Sequence, residues 1–234
     1  MVFGFLVLLR LLRSRPYGAQ ETAQAEARAS DFVSRTVPTL LPWRPGALAD
    51  LAARWEGTRG GLVIEEHQGV LNSLGNPDGP GLLACYLSLK GSRGFLLLCT
   101  SGPFDSAQDR REVRLDIKVD GAHVAIGGQP LGSIHLREGT IFDSGGQPVG
   151  RYHRQRSLSS SPRYGPVELY GRTVAEVNDT LVRGGEFLLD GGARPLVRNL
   201  TPDLTQEEES WLLALVALEL YYDAISHRKR ARRF

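Results

Sequence analysis

Residues 143–146 read Asp-Ser-Gly-Gly, letters that can surround the nucleophile of a Ser-His-Asp hydrolase. Such a serine needs a base to take its proton and a carboxylate to hold the imidazole. The chain has five histidines, His67, His123, His135, His153 and His227. His123, in GAHVAI, lies only 21 residues upstream and falls in a stretch that reads as a hairpin strand. Phe142 stands where the hydrolase motif would have glycine, and the chain before Ser144 is short for a complete first catalytic half. The same letters also spell a tight turn. Gly145 and Gly146 lie between the apolar runs of TIFDSGGQPVGRY, and Asp143 can accept hydrogen bonds from the amides ahead of it in an Asx-turn. The turn explains more residues and is adopted. No catalytic residue is assigned, and a serine hydrolase using Ser144 is kept as a remote alternative.

The other reactive side chains give no constellation. The histidines are scattered singly and no Cys/His pair has ligand spacing, so no metal and no cofactor are expected. GGQPLG and GGARPL lack the lysine-serine sequel of a phosphate-cradling loop and read as turns. Cys85 and Cys99 sit in the apolar runs LLACYLSL and FLLLCTSG. They read as buried small hydrophobes in a reducing compartment, with one disulfide as the other option.

The charge is polarised although the net is only +2. Of 28 Lys and Arg, three fall in residues 1–15 and five in 228–234, and neither stretch holds an acid. The body between them keeps 20 basic against 26 acidic residues. That excludes a basic domain built to follow a nucleic-acid backbone, so no nucleic acid is expected as partner.

The first segment, MVFGFLVLLRLLRSR, is too short to span a bilayer, which takes roughly 20 apolar residues. It also lacks the basic start and small-residue cleavage site of a secretory signal. As an interfacial helix it would insert Phe3, Phe5, Leu6, Leu8, Leu9 and Leu12, with Arg10, Arg13 and Arg15 reaching phosphates. The positive-inside tendency would then leave the body cytoplasmic, peripheral to the inner face of a membrane. The alternative is a helix packed on the domain's own surface. At the other end, Arg228, Lys229, Arg230, Arg232 and Arg233 form a basic tail that is a second candidate for anionic headgroups.

The elements between these ends are mainly β. Residues 16–60 read as a helical or linker extension: AQETAQAEARASDFVSR as a solvated helix or loose linker, and RPGALADLAARWEG as a helix stopped by Gly57. From residue 61 short apolar runs alternate with Gly, Pro, Asn and Asp. Val113, Leu115, Ile117 and Val119 alternate with Arg114, Asp116 and Lys118, the period of a half-buried strand, and Asp120–Gly121 signals a hairpin. Strands recur every 8–12 residues or so, as in sandwiches and barrels. The last element is a helix over about residues 206–226. Thr205 and Glu208 make a capping box, Glu207–Glu209 lie in the first turn, and the basic tail follows the end. Residues 211–218 (WLLALVAL) are apolar on every face, so this helix must be surrounded. Glu219 and Asp223, four apart, share one of its faces. A buried acid there is expected to bond strand ends or an arginine, or to sit near a barrel mouth.

A closed barrel needs a filler, and an all-apolar helix supplies one. The patterns PLGSIHLREGTIFDSGGQPVGRYHR, VELYGRTVAEV and FLLDGGARPLVRNLTPDLTQEEESWLLALVALELYYD together resemble the tubby C-terminal-like fold. That superfamily includes tubby proteins, phospholipid scramblases and LURP-one-related proteins. The resemblance covers about residues 61–226. It implies a closed antiparallel β-barrel around a hydrophobic C-terminal helix, here residues 61–227 with a basic tail at 228–234. It also implies a non-enzymatic binding or tethering role at an anionic phospholipid membrane surface. No residue matches tubby's phosphoinositide pocket, and the scramblases' Cys-rich stretch is absent. Their acidic calcium segment has only a loose counterpart in Asp203 and Glu207–Glu209, which read as helix caps. The competing class is a soluble protein–protein interaction barrel, with the N-terminal helix at a partner or homo-oligomer interface.

Overall fold

The computed structural model describes residues 18–44, 46–52, 58–60, 65–90, 93–102, 111–154, 163–179 and 195–231. In them, helix α1 (Ala19–Thr36) precedes strands β1 (Leu51–Ala52), β2 (Thr58–Gly60), β3 (Glu65–Ser73), β4 (Asn76–Lys90), β5 (Arg93–Thr100), β6 (Glu112–Ile117) and β7 (Gly121–Ile126). Strands β8 (Gln129–His135), β9 (Thr140–Asp143), β10 (Pro148–Tyr152), β11 (Tyr164–Leu169), β12 (Arg172–Asn178) and β13 (Val197–Arg198) follow, and helix α2 (Gln206–Ala231) comes last.

All 13 strands join one antiparallel sheet in the order β1, β3, β4 and onward to β13, with β2 beside β1 on the same edge of β3. The amide of Leu196 donates to the carbonyl of Leu51 at 2.8 Å, and Ala52 bridges Pro195. The last strand therefore meets the first, and the sheet nearly closes into a barrel.

Each strand is set by which of its faces has something to pack against. In β6 burial alternates, with Val113, Leu115 and Ile117 inward. β4 has no such alternation because both its faces are covered: Leu83, Cys85, Leu87 and Leu89 belong to the inner core, while Ala84 and Tyr86 lie under α1. Cys85 and Cys99 are both buried and form no disulfide. Cys85 opposes Leu98 and Cys99 opposes Ala84, which puts the two sulfurs on opposite faces and rules out the disulfide. The β7–β8 turn takes Gly127 and Gly128 at φ 54° and 81°, the primed hairpin geometry that suits strand twist.

Gly132 is required for a different reason. At φ 152° its missing Cβ would lie 2.0 Å from the Phe142 carbonyl oxygen across the β8–β9 pair. Gly132→Ala should destabilise the fold by at least about 1–3 kcal/mol, the range for a forced backbone conformation. A Tm within a degree of the parent protein would contradict this.

The structure corrects several expectations about the elements. α1 is not a solvated helix. Ala25, Ala29, Phe32 and Val33, spaced along one stripe, are buried on the outside of β4 and β5 against Tyr86, Phe95 and Cys99. The helix expected over RPGALADLAARWEG is a 3₁₀ turn, Ala47–Asp50, running into β1. Pairing with β3 claims Leu51 and Ala52, and residues 53–57 lie outside the described set. So β1 and β2, from the stretch read as an extension, are part of the sheet. Val119 is not a strand residue: it sits 56% exposed at the tip of the turn between β6 and β7.

α2 starts as expected. The Thr205 amide donates to Glu208 Oε2 at 2.8 Å, and the Glu208 amide to Thr205 Oγ1 at 3.1 Å. Trp211 to Leu218, Leu220 and Tyr221 are all at most 3% exposed, and the helix packs on β5, β6 and β12. Its side chains share one core with the inward residues of the strands. The helix continues to Ala231 rather than ending near residue 226.

Candidate functional site

The barrel has two rims. Lys90, Arg93, Ile117, Gly121, His135, Thr140, Tyr152 and Tyr164 lie at strand ends on the upper one; the turns at residues 127–128, 144–147 and 170–171 lie on the lower. α1 begins at the upper rim, where Glu21 pairs with Lys90 at 2.6 Å, and runs down. α2 begins at the lower rim, where Glu208 pairs with Arg172 at 2.8 Å and Glu209 with Arg111, and runs up. Both helices thus put their chain-terminal ends at the upper rim.

One polar cluster interrupts the apolar interior, and it is where α2 reaches the upper rim. Glu219 is fully buried. It accepts hydrogen bonds from Tyr152 Oη at 3.0 Å and from Arg154 Nη2 at 3.1 Å, and it forms an ion pair with Arg154, whose Nε lies 3.0 Å from Oε1. The Arg154 guanidinium lies 3.7 Å from the Tyr222 ring centre, so its head is fixed on two sides. Burial pushes the Glu219 carboxyl up to about 7, against the opposing pull of Arg154 and the Tyr152 bond, and nearby Asp179 adds to the rise. Burial and the neighbouring Glu219 hold the Tyr152 phenol well above its usual range. Of the expected partners for a buried acid of α2, Glu219 takes the arginine; the Asp223 side chain lies outside the described set.

Above this cluster opens a cleft of about 240 Å³ lined by His135, Arg137, Glu138, Arg151, His153 and Arg154, with Tyr152, Leu218 and Tyr222 at its floor. His135 faces Glu138, and His153 faces Glu168, each at 3.5 Å. A shallower hollow of about 690 Å³ on the outside of β5–β9 mixes Arg93, Arg114 and Lys118 with Asp116 and Asp120, leaving no single sign of charge.

Ser144 sits on the lower rim, exposed at the tip of the β9–β10 hairpin. Asp143 Oδ1 accepts from the amides of Gly145 at 2.9 Å and Gln147 at 2.8 Å, which is the Asx-turn. His67, His123, His135 and His153 all belong to strand ends of the upper rim, and among the described residues no histidine hydrogen-bonds Ser144. The acids just before α2 and in its first turn are also engaged: Asp203 and Glu208 by Arg172, Glu207 by Tyr170, and Glu209 by Arg111 and Trp43 Nε1. Among the described residues no group of His, Cys, Asp and Glu could hold a metal. None of the described helices is long and apolar enough to cross a membrane.

Arg10, Arg13 and Arg15 lie outside the described residues, as do Phe3, Phe5, Leu6, Leu8, Leu9, Leu12, Arg232 and Arg233. Arg228, Lys229 and Arg230 are on the α2 backbone with their side chains outside the described set. Sequence reasoning missed Tyr152 and Arg154. The available signal was Glu219 itself, an acid in an apolar helix that demands a donor, but nothing local says which of many arginines supplies it. No protein-family model matches the chain, and neither a curated protein nor a solved structure is significantly similar to it.

Proposed function

We propose that the chain is a non-enzymatic binding and tethering module of the tubby-like kind. In this reading α2 threads the barrel, and the upper rim meets an anionic phospholipid surface on the cytoplasmic side. The burial of Trp211–Leu218 on every face supports the threaded helix. The observation that carries the membrane reading is the shared rim. Residues 1–15 precede α1, whose start is at the upper rim, and the basic tail continues α2, whose end is there too. Between Tyr222 and Ala231 the helix runs on for roughly 14 Å at 1.5 Å per residue. An apolar-basic segment joined to the start of α1 and a basic segment joined to the end of α2 supply the two signals that stable peripheral attachment needs. Basic residues near such a surface contribute on the order of 1 kcal/mol each, screened by salt.

The full chain should pellet with vesicles of phosphatidylcholine and phosphatidylserine at low salt and be released as salt rises. Deleting residues 1–15 should cut the bound fraction at least about tenfold, the loss of one of two required signals. Unchanged pelleting after the deletion, or none by the full chain, would sink the reading. A change in mass with concentration on the same deletion would favour the protein-interface alternative.

A further inference from the structure

The upper-rim cleft has a chemistry of its own. Its roughly 240 Å³ is about eight waters' worth at some 30 Å³ each, room for a small hydrated anion. Three guanidiniums border it: Arg137 from the β8–β9 turn, Arg151 from β10 and Arg154 just beyond. Among the described residues Glu138 is the one carboxylate in the lining. Glu168, across the ladder from Arg151, faces His153 instead. Arg154 cannot swing away, because Glu219 holds its fork and Tyr222 its face. It is a positioned guanidinium in the lining, one half of the ion pair with Glu219. Arg137 and Arg151 are exposed at the lip, and Arg151 Nε is steadied by the Glu138 carbonyl oxygen at 3.4 Å.

We infer that this cleft binds the terminal phosphate of a phosphomonoester, gripped by Arg137 and Arg151 beside the fixed guanidinium of Arg154. Guanidinium forks match phosphate oxygens in pairs. A monoester offers three terminal oxygens and a charge of about −1.5 to −2 near neutral pH, whereas a diester offers two and one charge. Two forks beside a third, fixed guanidinium therefore favour the monoester. The inference deepens the membrane reading, on which it rests only for the source of the phosphate: a lipid headgroup such as that of phosphatidic acid, or a free phosphorylated metabolite.

The test uses the full chain and the pairs R137A/R151A and R137K/R151K, whose side chains are exposed and not part of the core. Inorganic phosphate should shift the backbone amide resonances of Gly139 and Arg151–Arg154 but not those of Ser144–Gly146. The alanine pair should weaken phosphate binding at least tenfold, and the lysine pair should recover only part of it, having charge without the fork. Vesicles containing phosphatidic acid should retain several-fold more protein than phosphatidylserine vesicles of matched surface charge, and the alanine pair should erase that preference. Unmoved cleft amides, or an alanine pair that binds phosphate like the parent, overturn the inference. Phosphate binding lost in the alanine pair, with equal pelleting on both lipids, supports the cleft with a soluble phosphomonoester while the membrane reading survives. Phosphate binding without any vesicle pelleting supports the cleft with a soluble phosphomonoester and removes the membrane reading.

Discussion

Arg154→Ala should cost about 3–5 kcal/mol at pH 8, the penalty for stranding one member of a buried ion pair. The reason is geometric. Glu219 is fully buried, and the Arg154 guanidinium gives it one of its two hydrogen bonds and its ion pair. The penalty also has a pH signature. With Arg154 present, the folded-state value for Glu219 is already raised to about 7 from an ordinary 4.5. Raised above its unfolded value, this acid holds its proton better folded than unfolded. Its titration therefore lowers stability as pH climbs from about 4.5 to about 7 and has no further effect above that window. Below it the protonated carboxyl needs no counter-charge, so the cost of Arg154→Ala should shrink as pH falls from 8 towards 5. Glu219→Gln in the same background should flatten the pH profile. Chemical denaturation of the three proteins at pH 8, 6.5 and 5 checks both statements. A pH-independent penalty would mean that Arg154 matters for its stacking on Tyr222 and not for its charge.

The second large effect concerns α2. Alanine at Leu212, Leu213, Leu215 and Leu218 should each cost about 2–5 kcal/mol, as large-to-small changes in a filled core do. At about 100° per residue these positions point around the whole circumference of the helix. A helix lying on a sheet would show at least one of them within about 0.5 kcal/mol of neutral, as surface positions do. One such tolerant position would reject the threaded arrangement. Uniformly large losses, read by urea melts, would support it against any half-exposed alternative.

Much of this architecture could be read because the relevant physics is local. The alternation of Val113, Leu115 and Ile117, the Asx-turn of Asp143 and the Thr205–Glu208 box each lie within a few residues of chain. What was not legible needed contacts from far away. Leu51 and Ala52 sit in a stretch with helical composition, yet the open edge of β3 recruits them as a strand. Ala25 and Ala29 look like the residues of a solvated helix, because a small side chain carries no hydropathic signal of close packing. The cysteines sit in similar apolar runs, and only the register of β4 on β5 shows that they face opposite ways. The site was half visible: Glu219 announced a need for a partner, but Arg154 is 65 residues earlier in sequence, and only the barrel brings the two together.

The order of the elements also bears on how the chain is made. The side chains that complete the inner core, from Trp211 to Tyr221, follow every strand they pack against. During synthesis the inward faces of β3 to β12 emerge with nothing to cover them until α2 leaves the ribosome. Non-local pairing of this kind folds slowly, and exposed apolar strands aggregate in the interval. A ribosome stalled before residue 206 should therefore hold a sheet that depends on a holdase, and α2 is the segment whose arrival ends that dependence.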